Sequence, residues 1–238
     1  MAASIERGNA LAKVIDRNEI RFAVLAVDVA VLTILDWKLH VLLIPIHLPP
    51  EIVHARGLPG GLVRPRETAE DAVARHLAER AGLEDYYSEQ LLTFSGVERD
   101  PRGRVVSVAH LALVPGHVAR SLALPEGTGW WDVERIGALA YDHNKILEAA
   151  RGRLRAKLHS TTIARQLLAP RFTLSELQSA YEGVLGRALD KRNFRKKLIA
   201  SGIVRATGRK VQQALGRPGR LYRFTGSAVE PISILAGT

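Results

Sequence analysis

Gly57-Leu58-Pro59-Gly60-Gly61-Leu62-Val63, continuing through Glu67, Arg75, Leu77 and Glu79 to Gly82-Leu83, is the stretch on which the reading of this chain turns. It starts as a glycine-rich loop. Ala69, Ala72, Val73 and Leu77 then recur at helical spacing, so Glu67–Arg80 is expected to be a helix, with Gly82 just past its end. Upstream, Phe22–Leu35 and Leu39–Ile46 are runs of Val, Ile and Leu joined by Asp36-Trp37-Lys38, the pattern of two strands and a turn. Downstream, Leu91–Gly96 and Val105–Val114 read as strands around the polar turn Glu98–Gly103. Trp130–Asp132 reads as a short extended piece and Asp142–Leu158 as a helix. Strands and helices mix, with several strands in consecutive pairs, which points to an α/β or α+β sandwich.

The stretch resembles the Nudix box, G-x5-E-x7-R-E-U-x-E-E-x-G-U with U aliphatic. From Gly61 to Leu83 the spacing is unbroken, and Gly61, Glu67, Arg75, Leu77, Glu79, Gly82 and Leu83 match. Two positions depart from it: His76 stands where the family has the first glutamate after the arginine, and Arg80 where it has the second of a glutamate pair. Positions i, i+3 and i+4 share a helix face, so a complete box presents three carboxylates to Mg²⁺ beside a diphosphate. Here that face carries His76, Glu79 and Arg80. One carboxylate beside a guanidinium is a poor divalent site, whereas the arginine itself can neutralise a bound diphosphate. The resemblance therefore implies an α/β/α Nudix domain that binds a nucleotide without efficient hydrolysis and requires no metal cofactor.

Within that domain the candidate ligand residues are Arg56, Gly60, Gly61, Glu67, Arg75, Glu79, Arg80, Arg99 and Arg102. Arg99 and Arg102, with Arg104, fall in the segment Glu98–Ser107, which resembles a stretch of Nudix regulators and ADP-ribose-type Nudix domains and offers planar donors to phosphate or ribose. Trp130 and Trp131 are expected in the core, and His143 as a structural hydrogen-bonding residue. His40, His47 and His54 lie seven apart, and no His-x-x-x-His or cysteine pair is present, so a structural zinc site is not expected.

Charge divides the chain. Its 34 Lys and Arg against 24 Asp and Glu give +10, but residues 151–238 hold 18 against 4, or +14, leaving −4 for residues 1–150. Such a basic tail is the footprint of a polyanion partner. Its elements follow an order: helical patterns at Ile163–Leu168, Leu174–Leu185 and Asp190–Ser201, then strands at Ile203–Thr207 and Leu221–Phe224. Three helices and a hairpin make a winged helix-turn-helix. Thr173 and Glu176 form a capping box for the second helix, and Phe194 and Leu198, with either Ile199 or the stem of Lys191, are expected on the buried face of the third. Lys191, Arg192, Asn193, Arg195 and Lys196 are then left to meet DNA bases, with Arg209, Lys210, Arg217 and Arg220 on the wing, and Thr173 is counted among the DNA contacts.

Both halves together resemble the Nudix-related transcriptional regulators that control NAD metabolism in bacteria. The tail resemblance rests on Phe172-Thr173-Leu174-Ser175-Glu176-Leu177-Gln178, Leu189-Asp190-Lys191-Arg192-Asn193-Phe194 and Arg217-Pro218-Gly219-Arg220-Leu221-Tyr222-Arg223-Phe224. The resemblance implies a homodimeric repressor on a palindromic operator, sensing a nucleotide, typically ADP-ribose. Two other readings stay open on the sequence. One is an active ADP-ribose or NADH pyrophosphatase with an accessory tail; the other is a sugar-responsive regulator of pentose catabolism on the same architecture.

The expected organisation is a helical extension over 1–19, an effector domain over 20–150 and a DNA-binding domain over 151–238. With no cysteine there is no disulfide, and no signal peptide or apolar run of about 20 residues is visible, which fits a cytoplasmic protein without a membrane partner.

Overall fold

The computed structural model describes residues 23–46, 56–211, 219–226 and 228–231. The helical extension expected over residues 1–19, His47, His54 and Arg217 lie outside the described residues. Strands β1 (Val24–Leu35) and β2 (Lys38–Pro45) form a hairpin. Both turn residues, Asp36 and Trp37, have positive φ, which is the geometry of a type I′ turn matched to the twist of its strands. Short strands β3 (Arg56–Gly57) and β4 (Gly60–Leu62) follow, so the expected Gly57–Gly61 loop is a pair of strand ends around Leu58-Pro59. Helix α1 (Ala69–Ala81), β5 (Tyr87–Phe94), β6 (Val105–Leu113), helix α2 (Gly116–Ser121), β7 (Gly129–Asp132) and helix α3 (His143–Ser160) complete the first part.

The sheet runs β3-β2-β1-β6-β5, with β4 also on β1 and β7 on β2. Only β1 and β6 among the recorded pairs are parallel; the rest are antiparallel. Both faces of β1 are covered, which is why it reads as a nearly continuous apolar run. Val27, Val29 and Val31 pack on one side with Val73 and Leu77 of α1. Ala30, Leu32 and Ile34 pack on the other with Ile146, Leu147 and Leu154 of α3. The result is the expected α/β/α sandwich.

The tail continues with a 3-10 turn (Ile163–Leu167), where a regular helix was expected, then β8 (Phe172–Thr173), α4 (Leu174–Leu185), α5 (Lys191–Ala200), β9 (Val204–Val211) and β10 (Gly219–Phe224). The three strands pair in the order β8-β10-β9 against α4 and α5, a winged helix with its helix-turn-helix. The capping box of α4 is formed as read: Thr173 Oγ1 accepts from Glu176 N at 3.1 Å and Glu176 accepts from Thr173 N at 2.6 Å. Ile199, one candidate for the buried face, is instead 56% exposed, because Phe194 and Leu198 alone fill the contact.

The two parts share one core. The apolar cluster that starts on β1 and α3 runs without a break through Leu177, Tyr181, Phe194 and Phe224 of the winged helix. At the junction Gly183 of α4 lies under the β1–β2 turn, where a Cβ would stand 2.6 Å from the Trp37 carbonyl oxygen. Arg155 of α3 also donates to the Val184 carbonyl of α4.

Candidate effector pocket and nucleic-acid interface

A cleft of about 870 Å³ opens where β1, β4, α1, the β5–β6 turn and the start of α3 meet. That size suits a dinucleotide-like ligand. One wall comes from α1. Thr68 caps this helix through a reciprocal bond with Asp71, so it starts two residues later than expected, and Glu67 sits outside it. Glu67 accepts from Arg75 and from the Arg64 amide, and these contacts hold its carboxyl at about 2, the Arg75 hydrogen bond foremost. Glu67 therefore stands behind Arg75 and does not line the cleft.

His76 is buried, and burial pushes its pKa down. Its Nε2 donates to the Leu62 carbonyl at 3.2 Å, and its ring lies so close to Gly61 that a Cβ there would come within 2.5 Å. Gly61, at φ 152°, thus has two reasons to be glycine. The imidazole fills the place of the missing carboxylate and turns its nitrogens to the protein. Glu79 is half-exposed and has Arg75 at 3.5 Å and Arg64 at 3.7 Å, and Arg80 lines the same wall. Among the described residues no three His, Cys, Asp or Glu are placed to hold a metal ion. A lone carboxylate among three guanidiniums does not fit the divalent ion that a complete Nudix face would hold; it fits an anion.

The floor places Arg99 in the cleft lining with its donors already engaged. Its side chain is 4% exposed, so it is no free donor: it gives Nη2 to Asp28 at 2.9 Å and both Nε and Nη2 to Asp142, at 3.1 and 2.7 Å. Asp28 also accepts from Ser107 at 2.7 Å and faces His143 Nε2 at 3.2 Å. The Leu58 amide donates to His143 Nδ1, which leaves the ring proton on Nε2, toward Asp28. Burial alone would raise the Asp28 pKa, but the His143 and Ser107 hydrogen bonds and the Arg99 charge hold it at about 2. His143 is thus structural, as read. Arg102 lines the cleft, paired with Asp100 and 5.3 Å from the Tyr141 ring centroid. Arg56 lies elsewhere, stacked 3.8 Å over Trp131 outside the cleft lining.

The second candidate site is the outer face of the winged helix. Asp190 caps α5 by accepting from Asn193 N at 2.7 Å. This leaves Lys191, Arg192, Asn193 and Lys196 exposed along one basic surface. Arg195 is half-buried and donates to Ser175 Oγ at 2.8 Å, tying α5 to the start of α4. Thr173 is buried with its hydroxyl engaged in the cap, so it is not a surface contact. Arg209, Lys210 and Arg220 are exposed on the wing, and Lys210 stands directly opposite Arg220.

A second such pair, Arg205 opposite Arg223, went unnoticed in the sequence. Like charges facing across a ladder repel, and an anionic backbone along the hairpin would relieve them. Only the register of β9 with β10, irregular near Leu221, brings these two arginines together.

Both halves of the chain match known families. The NUDIX domain family profile matches residues 24–150, and that of the NrtR DNA-binding winged helix domain matches 164–224. The chain is 34% identical over 205 residues, 84% of its own length and 81% of the other, to a protein of Acinetobacter baylyi described as an ADPR responsive transcriptional repressor. The chain belongs to the NrtR family. Shewanella oneidensis NrtR superposes on this family member with a TM-score of 0.74 at 33% identity, over 84% of this chain and 94% of that one. Its complex with a 27mer DNA gives 0.72 at 32%, over 84% and 93%. Its NUDIX domain complexed with ADP ribose gives 0.52 at 32%, over 62% and 97%.

Proposed function

We propose that this NrtR-family chain is a transcriptional repressor of NAD-metabolism genes, one that binds operator DNA through its winged helix and responds to ADP-ribose held uncleaved in the Nudix cleft. The observation that carries the reading is the wall of that cleft, where His76, Glu79 and Arg80 replace a three-carboxylate metal face on the same core as a basic recognition helix. The relative named as ADPR responsive, and the Shewanella NrtR structures with DNA and with ADP ribose, support it. The effector domain is taken as 20–150 and the DNA-binding domain as 151–238. The protein acts in the cytoplasm as a homodimer on a palindromic site whose half-sites lie about 34 Å apart, one helical turn.

In this reading Arg64, Arg75 and Arg80 take the diphosphate and Arg102 meets the remainder of the ligand. Lys191, Arg192, Asn193 and Lys196 enter the major groove, while Arg209, Lys210 and Arg220 follow phosphates, joined by Arg205 and Arg223. The test is fluorescence anisotropy on a duplex selected for binding from a random pool, with and without ADP-ribose, beside an assay of ADP-ribose and NADH cleavage with Mg²⁺ and Mn²⁺. A DNA affinity that changes with ADP-ribose, without turnover, is expected. Robust turnover abolished by Glu79→Gln overturns it in favour of a hydrolase.

A further inference from the structure

The start of α3 has an unusual conformation. Tyr141 has φ 54°, a left-handed conformation that is strained for a non-glycine residue. Asp142 occupies the N-cap position of an 18-residue helix, yet its side chain makes no capping bond, and its φ of −98° and ψ of 22° are not those of a capping residue. Both carboxylate oxygens of Asp142 are instead held by Arg99. A Ser, Thr, Asp or Asn at an N-cap ordinarily accepts from the first-turn amides, as Thr68, Thr173 and Asp190 do for α1, α4 and α5. At α3 that bond is withheld in favour of an arginine that lines the effector cleft.

Everything needed to carry a change away from this point is attached to α3. Its first residue, His143, bridges Asp28 and the Leu58 amide. Its middle packs under β1, and Arg155 reaches the Val184 carbonyl of α4. At its far end Lys157 and Arg153 grip Glu89 of β5. Eighteen residues make a rod of about 27 Å between the cleft and the helix-turn-helix.

We propose that Arg99, Asp142 and Tyr141 form a latch through which the cleft's occupancy is read. In the arrangement seen, Arg99 clamps Asp142 and holds Tyr141 in its left-handed conformation. A ligand acceptor oxygen, from phosphate or ribose, draws Arg99 toward the cleft; Asp142 then turns to the Asn144 amide, the one first-turn N–H of its helix without a recorded acceptor, Tyr141 relaxes, and α3 shifts against α4. No new contact between ligand and winged helix is required, because α3 has two alternative N-terminal arrangements and the ligand favours one. This proposal rests on the effector reading above and adds the element that transmits it.

The test uses the full-length protein with ADP-ribose as probe, and DNA anisotropy and calorimetric ligand binding as readouts. Wild type must first show an ADP-ribose effect on DNA affinity; its absence defeats the effector reading, and the latch falls with it. Asp142→Asn keeps a capping side chain but removes the ion pair. It is expected to show, without ligand, the DNA affinity that wild type reaches only at saturating ADP-ribose. Its ligand response should shrink from a coupling typically about 5- to 150-fold to under about 3-fold. Its affinity for ADP-ribose should rise, since no clamp has to be broken. Asp142→Glu, whose carboxylate still reaches Arg99, should restore the response. If Asp142→Asn keeps the wild-type response, the latch is wrong. If Asp142→Glu loses the response together with Asp142→Asn, the residue is merely structural and the latch is equally wrong.

Discussion

Gly183→Ala sets two ordinary effects against each other, and the structure says which wins. Gly183 lies within α4, where exchanging glycine for alanine favours the helix by about 1 kcal/mol. The new Cβ, however, would sit 2.6 Å from the Trp37 carbonyl oxygen and 3.2 Å from Ile34 Cδ1. The nearer atom is backbone in a tight turn whose two residues already have positive φ, so it cannot rotate away. The β1–β2 hairpin and α4 must separate by several tenths of an ångström along a shared core. Overpacking of this kind costs typically about 1–3 kcal/mol, and part of the contact energy along the seam is lost as well. The net expectation is a loss of roughly 1–2 kcal/mol, or about 2–8 °C in the melting temperature of a chain this long.

Differential scanning calorimetry on wild type and variant checks the value and something more basic. If the two parts share one core, wild type melts in a single transition and the variant in a single, lower one. A melting temperature that rises in Gly183→Ala would mean that helix propensity prevails and the junction is loose. Two resolved transitions in wild type would refute the shared core outright.

On the DNA side, Arg192→Ala should cost about 1–3 kcal/mol on the selected sequence and relax specificity at one position, whereas Arg209→Ala should weaken all sequences alike and lower the salt slope by about one; competition titrations at several salt concentrations separate the two. Arg205→Gln should stabilise the free protein by a few tenths of a kcal/mol, since it removes a like-charge pair, while weakening DNA binding; thermal melts and anisotropy must move in opposite directions. Asp28 has its pKa lowered from 3.8 to about 2 in the folded protein, so the stability it contributes is present above the unfolded value and is lost as pH falls toward 2. About 2 kcal/mol should vanish between roughly pH 5 and 2, and urea titrations of Asp28→Asn over that window should show a shallower loss.

The elements that were legible in the sequence are those whose cause is local. The apolar runs of β1 and β2, the Thr173–Glu176 capping box and the glycine after α1 each carry their reason within a few residues. The start of β5 was missed because Ser88, Glu89 and Gln90 are polar; Glu89 belongs there for Lys157 and Arg153, more than 60 residues away in sequence. Arg99 looked like a surface donor for a related reason. Its partners Asp28 and Asp142 are 71 and 43 residues distant, and nothing in Glu98–Gly103 announces them. The spacing of the box showed that position 76 is not a carboxylate. It could not show that the imidazole closes against Gly61 and Leu62, because that contact depends on β4 pairing with β1.

Both candidate sites hold positive charge in excess of its local partners: Arg64, Arg75 and Arg80 beside Glu67 and Glu79, and the facing pairs Lys210–Arg220 and Arg205–Arg223. An anion that arrives at either place removes repulsion already present, so each ligand stabilises the folded chain by mass action. Joined by one core and one helix, the two sites are further bound by reciprocity: whatever factor ADP-ribose applies to DNA affinity, DNA must apply to ADP-ribose affinity. Calorimetric titration of ADP-ribose into free protein and into the DNA complex measures that factor from the other side. Equal factors are what a single species binding both ligands requires. Unequal factors would mean that the species binding DNA differs in subunit number from the one binding ADP-ribose, and the signal would then run through assembly, with α3 no longer its carrier.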